Sequence, residues 1–304
     1  MKLLTLVLLL STFSSLTLTE VVEDFQNSCS KFFIRSPNGK QIITPTVFKG
    51  SQYKQICQLL NNNYTFATLY DTKNRIPVYS AYTFSGRNQT FKNNEWKNEP
   101  QLENKSNGPE MREITNDEMD GFVHQAVNRD YKDSRIPYTR GHVFPNQYAA
   151  DQNQADSTFT FTNIAPQTEH SNGEWATEVE TPMRAEIQRE CRQNNQFKAF
   201  IVTGVVPGNN WISIMRKDKT VVKGVNIPSF YWTAFCYYNQ TTTISRAYLA
   251  RQNEPNPKSY EITDLSVDML NRRLTSLYNQ DFKVFSDLCL TSVQSEFVPS
   301  DSRV

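Results

Sequence analysis

The 304-residue chain is 38% apolar and 21% charged, with 32 basic against 31 acidic residues, which fits a folded protein and excludes collagen-like, low-complexity and polyelectrolyte classes. Residues 1–19 hold one Lys and no acid, so 31 charges of each sign remain beyond them. Net charge gives no sign of a polyanionic partner, although a neutral total can contain a basic cleft.

The N-terminus, MKLLTLVLLLSTFSSLTLT, is one Lys, a short apolar run and then small polar residues. The run is far short of the roughly 20 apolar residues that span a bilayer, so residues 1–19 read as a secretory signal with cleavage near Glu20. No later run is long enough to span and no lipidation signal follows. The expected product is secreted and extracellular, without a membrane anchor. Residues 20–304 carry no Pro/Gly/Ser-rich linker or repeat and are expected to form a single domain.

The five Cys, at 29, 57, 191, 236 and 289, suit a compartment where disulfides persist, and the odd count leaves one over. Cys29 and Cys57 share the N-terminal segment, and Cys236 and Cys289 flank the C-terminal part. These are the expected pairs, with Cys191 unpaired, although spacing alone does not fix connectivity. Asn63, Asn88, Asn104 and Asn239 each open an Asn-x-Ser/Thr sequon, so a glycosylated surface is expected.

Along the chain, β-branched and aromatic runs bounded by turn formers predict strands over 64–70, 78–84, 159–162, 197–205 and 230–238. Helical spacing of apolar residues predicts helices over 174–193 and 266–278. The segment 85–130 is polar and reads as an exposed excursion, with His124 a surface side chain. Strands outnumber helices without regular alternation, which predicts an α+β fold with a central antiparallel sheet flanked by helices.

Chemistry concentrates downstream. Thr139-Arg140-Gly141-His142 offers an imidazole able to take a proton from water and a planar guanidinium suited to phosphate. The Gly between them predicts a tight turn open to a bulky anion. Asn163 follows in Thr-Asn-Ile-Ala-Pro-Gln, then Asn172, Glu180 and Arg184 at steps of about two turns and one turn along a helix. That spacing puts an amide oxygen, a carboxylate and a guanidinium on one face. The bland alternative is a capped amphipathic helix with an i, i+4 Glu-Arg pair. Asn163 more readily shapes the turn than touches a metal, and His170 reads as a solvent-facing loop side chain.

In this order the pieces resemble the DNA/RNA non-specific endonucleases of the ββα-metal (His-Me finger) class, whose pattern is Asp-Arg-Gly-His, Asn-x-x-Pro-Gln, then an Asn on a helix carrying Glu and Arg. The stretches LYDTKNRIPVYSAYTFSG, FIVTGVVPG and VNIPSFYWTAFC are similar to its secreted, endonuclease-domain-containing-1-like branch. The resemblance implies the ββα-metal fold and cleavage of DNA and RNA without sequence preference. It implies His142 as general base, Asn172 as the protein ligand to Mg²⁺ or another divalent cation, and Arg140 and Arg184 as phosphate-facing cations. Glu180 would orient water at the metal, with Asn163 and Thr139 supporting the site from behind. Thr139 stands where the family has Asp, Trp175 follows Asn172 one residue earlier than the family pattern, and Pro182 falls inside the helix. The competing reading is a catalytically impaired secreted glycoprotein of the same fold that binds without cutting.

Overall fold

The computed structural model describes residues 18, 20–86, 95–132, 137–191, 198–215, 221–238, 243–253 and 260–290. The strands in chain order are β1 Val21–Val22, β2 Ile34–Arg35, β3 Ile42–Ile43, β4 Tyr53–Leu60, β5 Asn63–Asp71, β6 Ile76–Phe84, β7 Thr139–His142, β8 Ile164–Gln167, β9 Ala199–Val206, β10 Asn210–Met215, β11 Val221–Ile227, β12 Phe230–Tyr238, β13 Thr243–Arg251 and β14 Ile262–Leu265. Eight of them form one antiparallel sheet in the order β1-β4-β5-β6-β9-β12-β13-β14. The α+β architecture with a large antiparallel sheet is therefore the observed one.

Both faces of the sheet are covered, which is why its central strands read as nearly continuous apolar runs. Alternation sends Phe66, Tyr82, Tyr231 and Phe235 into one core and Ala67, Ala81, Trp232 and Cys236 into the other. On the first face lie Phe144, Tyr148, Trp175, Val179, Met183 and Ile187. On the second lie Phe25 and Phe33, together with Leu270 and Leu274 of the helix Val267–Tyr278 and the ring of Phe282. Ser266 starts that helix by accepting from the Met269 N–H, and Asn279 ends it in the left-handed region, a pairing of caps that stops both ends.

Cys29 is bridged to Cys57 and Cys236 to Cys289, while Cys191 is a buried thiol pushed up to about 12 by burial. Asn63 and Asn104 stand exposed; Asn88, Asn239 and nearly all of the signal-like stretch lie outside the described residues. No helix among the described residues is long and apolar enough to cross a membrane.

Two expectations about elements are corrected. Residues 159–162 are not a strand: Thr160 makes an isolated bridge to Lys97, a 3₁₀ turn follows over Phe161–Asn163, and the strand is β8. The segment 95–130 is not an exposed excursion either, because Asn98, Glu99, Gln101 and Gln125 are buried in it. Polar composition misleads here, since those side chains bond one another and backbone groups: Asn98 donates to Gln125 and the Ala126 carbonyl, and Gln125 donates to the Glu99 carbonyl. His124 is exposed and meets Glu103 at 2.9 Å.

Candidate active site

Between β6 and β9 the chain leaves the sheet and builds β7 and β8, which pair antiparallel with Thr139 opposite Gln167, Arg140 opposite Pro166 and His142 opposite Ile164. Pro166 is tolerated because this ribbon has only two strands, so its missing N–H faces no neighbour. A helix, Glu169–Trp175, follows directly. Two short strands and a helix are the whole frame of the site.

Gly141 is where that frame meets the sheet. It lies in β7 without a left-handed φ, so the tight turn expected there is absent. Its lack of a side chain serves close approach instead: a Cβ would fall 2.0 Å from Gln167 Oε1 and 2.7 Å from the Tyr231 hydroxyl. That hydroxyl points at the carbonyls of Gly141 (3.3 Å) and Ala165 (3.2 Å), tying both strands to β12. Gln167 is pinned in turn by Gln252 at 2.8 Å. Gly141→Ala is therefore expected to destabilise the fold by about 1–3 kcal/mol through overpacking. A urea midpoint equal to that of the wild type would show that the ribbon yields freely.

Alternation along β7 sets Arg140 and His142 on one side, where Trp96 meets both. The Arg140 guanidinium lies 4.9 Å from the Trp96 ring and 5.6 Å from Tyr131, and its Nη2 donates to Asn128. Half-burial pushes its pKa below the ordinary value. The cation is held by aromatic faces and one amide, which fixes it in place. The His142 imidazole is half-buried, edge-on to Phe159 at 5.0 Å and 5.9 Å from Trp96.

On the other side, the Thr139 hydroxyl donates to the Gln167 carbonyl at 3.0 Å and accepts from Asn172 Nδ2 at 3.1 Å. Asn172 does not open the helix. Thr168 is the cap, accepting from the Ser171 N–H, and Asn172 is the fourth helical residue. The helix begins five residues before the expected 174 because a Thr cap with Glu169 in the first turn is a start signal in its own right. Asn253 closes this end: its left-handed backbone lets the side chain accept from the Thr168 N–H and donate to the carbonyls of Pro166 and Pro228. Sequence reasoning missed Asn253, whose only signal is an Asn in a Pro-rich turn.

Glu180 and Arg184 follow on the continuing helix. A π turn over Ala176–Glu180 precedes the segment Thr181–Glu190, with the Thr181 N–H bonded five residues back to Ala176. Eight residues exceed two α turns by about 0.8 residue, and the π turn takes up the excess. Pro182 comes directly after the π turn: lacking an N–H it donates no helical bond, and the widened turn is where its ring is accommodated. Gln147 touches both side chains: its Nε2 donates to Glu180 at 2.8 Å and its carbonyl accepts from Arg184 at 3.4 Å. Glu180 is buried, and burial raises it to about 7, opposed by the Gln147 bond and Arg184.

Asn163 is fully buried and uses its whole amide on Ser80, the Phe144 N–H and the carbonyls of Phe144 and Thr158. It has no oxygen left for a cation and acts by holding the start of β8 against the sheet. His170 is exposed, 5.9 Å from Tyr260. Among the described residues no three His, Cys, Asp or Glu converge. A divalent cation here would be held by an amide oxygen together with water and substrate phosphate, a manner of binding that suits Mg²⁺. Asn172 fits that donor set: it is half-buried and its nitrogen is already engaged.

The family model described as DNA/RNA non-specific endonuclease matches residues 44–285. The chain is 32% identical over 213 residues to the Endonuclease domain-containing 1 protein of Homo sapiens, covering 68% of this chain and 38% of that protein. It is 26% identical over 266 residues to the protein of that name from Mus musculus, covering 86% and 47%. The chain thus spans less than half the length of these curated relatives. Among solved structures, the EndoG/EndoGI complex matches with a TM-score of 0.45 at 16% identity, over 69% of this chain and 81% of that one.

Proposed function

The chain belongs to the DNA/RNA non-specific endonuclease family, and from that membership we propose that it is an exported, metal-dependent endonuclease that hydrolyses phosphodiester bonds of DNA and RNA without sequence preference. The observation carrying this reading is the Thr139–Asn172 hydrogen bond, which joins the strand bearing His142 to the helix bearing Asn172. A phosphodiester resists attack because it is negatively charged, so cleavage requires an activated water and positive charge at the phosphate. His142 accepts the proton of the attacking water. Arg140 and Arg184 hold the phosphate, and Glu180 orients water. The Asn172 oxygen would hold a divalent cation, Mg²⁺ or another, which when bound supplies charge neutralisation on the phosphate. Contacts of this kind address the backbone and not base edges, hence no sequence preference.

The purified chain is expected to nick plasmid DNA and degrade RNA with Mg²⁺ and to stop with chelator. Asn172→Ala should shift the response to higher Mg²⁺, with part of the activity recovered by added metal. Thr139 in place of a family carboxylate favours the second reading, a binding protein of the same fold. Tight nucleic-acid binding with no cleavage at any Mg²⁺ or Mn²⁺ concentration would establish that reading instead.

Export is supported by the signal-like start, the two bridges and the exposed sequon residues Asn63 and Asn104. Expressed in secretory cells, the protein should be recovered from the medium, shift on deglycosylation and yield the Cys29–Cys57 and Cys236–Cys289 peptides without reduction. Recovery only from the cytosol at full precursor mass is the contrary result.

A further inference from the structure

Resting on the reading of Asn172 as the cation's protein ligand, we propose that Thr139 is a positioning residue whose hydroxyl decides which end of the Asn172 amide faces the cleft. A threonine hydroxyl has one proton and two lone pairs. Its proton goes to the Gln167 carbonyl at 3.0 Å, so toward Asn172 the oxygen acts as an acceptor. The Asn172 atom that meets it at 3.1 Å is Nδ2. Turning the amide over would set two oxygens face to face, unless Thr139 withdrew its proton from Gln167 and left that carbonyl short of a donor. The arrangement therefore sends the Asn172 oxygen away from Thr139, where a hard cation can take it.

The elements around this relay are fastened to one another. Thr139 and Gln167 are opposed in the β7–β8 register, Thr168 caps the helix, and Asn253 clamps Thr168 and Pro166 together. A carboxylate at 139, the family's choice, is acceptor-only and would likewise present an acceptor to the Asn172 amide. Thr139 thus keeps the direction of the amide while giving up one negative charge. Its effect should appear in cation binding before any reaction takes place, because the groups behind a ligand tune its affinity.

The test is calorimetric titration of Mn²⁺ into the full chain without nucleic acid, alongside melting in chelator. Thr139→Val removes the acceptor at similar volume, and Thr139→Ala removes it without crowding, so one covers for the other should either fold poorly. Both are expected to bind Mn²⁺ about 10- to 100-fold more weakly, while Thr139→Ser restores binding. Asn172→Ala should lose at least as much. If Asn172→Ala is weakened but Thr139→Val and Thr139→Ala bind as the wild type does, the positioning role is overturned and the ligand reading survives. Wild-type affinity in Asn172→Ala overturns both.

Discussion

His142→Ala should lower turnover on DNA and RNA by about two to four orders of magnitude, the usual worth of a positioned proton acceptor, while substrate binding persists. Binding should survive because the imidazole packs edge-on to Phe159 and beside Trp96, whereas Arg140 and Arg184, the cations proposed to hold the phosphate, have separate hydrogen-bond anchors in Asn128 and Gln147. The loss belongs to the chemical step, so extra metal should not restore it. Single-turnover cleavage at saturating Mg²⁺, with affinity measured in chelator, separates the two terms. Equal cleavage rates for wild type and variant would remove His142 from the chemistry.

Glu180→Gln should flatten the pH dependence of stability between about pH 4.5 and 7. Buried Glu180 holds its proton up to about 7 in the fold against an ordinary 4.5, so its contribution is fully present below about 4.5. As pH rises the unfolded chain releases the proton first, and stability falls by up to about 3 kcal/mol by the time pH passes the folded value. Gln mimics the protonated form, keeps an acceptor for Gln147, and cannot titrate. Glu99, also raised to about 7 by burial, adds a similar slope that remains in the variant. Activity should move oppositely: orienting water calls for the carboxylate, so wild-type rate climbs toward pH 7 where the variant stays low and flat. Urea unfolding at pH 4.5 and 8 reads the first effect, and a wild-type slope that survives in Glu180→Gln would show that this carboxyl is not the titrating group.

The central strands were legible in the sequence to within a residue or two because their apolar runs end at turn formers: 230–238 is β12, and 64–70 and 78–84 lie inside β5 and β6. Strands with mixed composition were not. In β4 the buried Gln58 donates its amide N–H groups to the hydroxyls of Thr68 and Thr162, partners that lie 10 and 104 residues away and leave no local mark. In β13, Arg246 reaches Glu186 on the site helix's continuation, another distant pairing. The motif from Thr139 to Arg184 was legible as a constellation of residue types, and the family model confirms the membership it suggested. Its internal grouping was not legible. That Thr139 meets Asn172, Arg140 and His142 meet Trp96, and Glu180 and Arg184 meet Gln147 depends on strand parity, a cap at Thr168 and a π turn, none of which a linear pattern displays.

The placement of the motif between β6 and β9 bears on the order of events during synthesis. β6 pairs with β9 through Tyr79–Gly204 and Phe84–Ala199, so the two strands close a loop containing the entire ββα unit, and such distant pairings form slowly. The hydroxyl that ties β7 to β8 belongs to Tyr231 on β12, and the clamp at the helix start belongs to Asn253. A nascent chain that has emerged only as far as Arg184 carries every proposed catalytic side chain but neither fastening. The fastening of the ββα unit therefore waits on residues that come later in the chain, Tyr231 and Asn253.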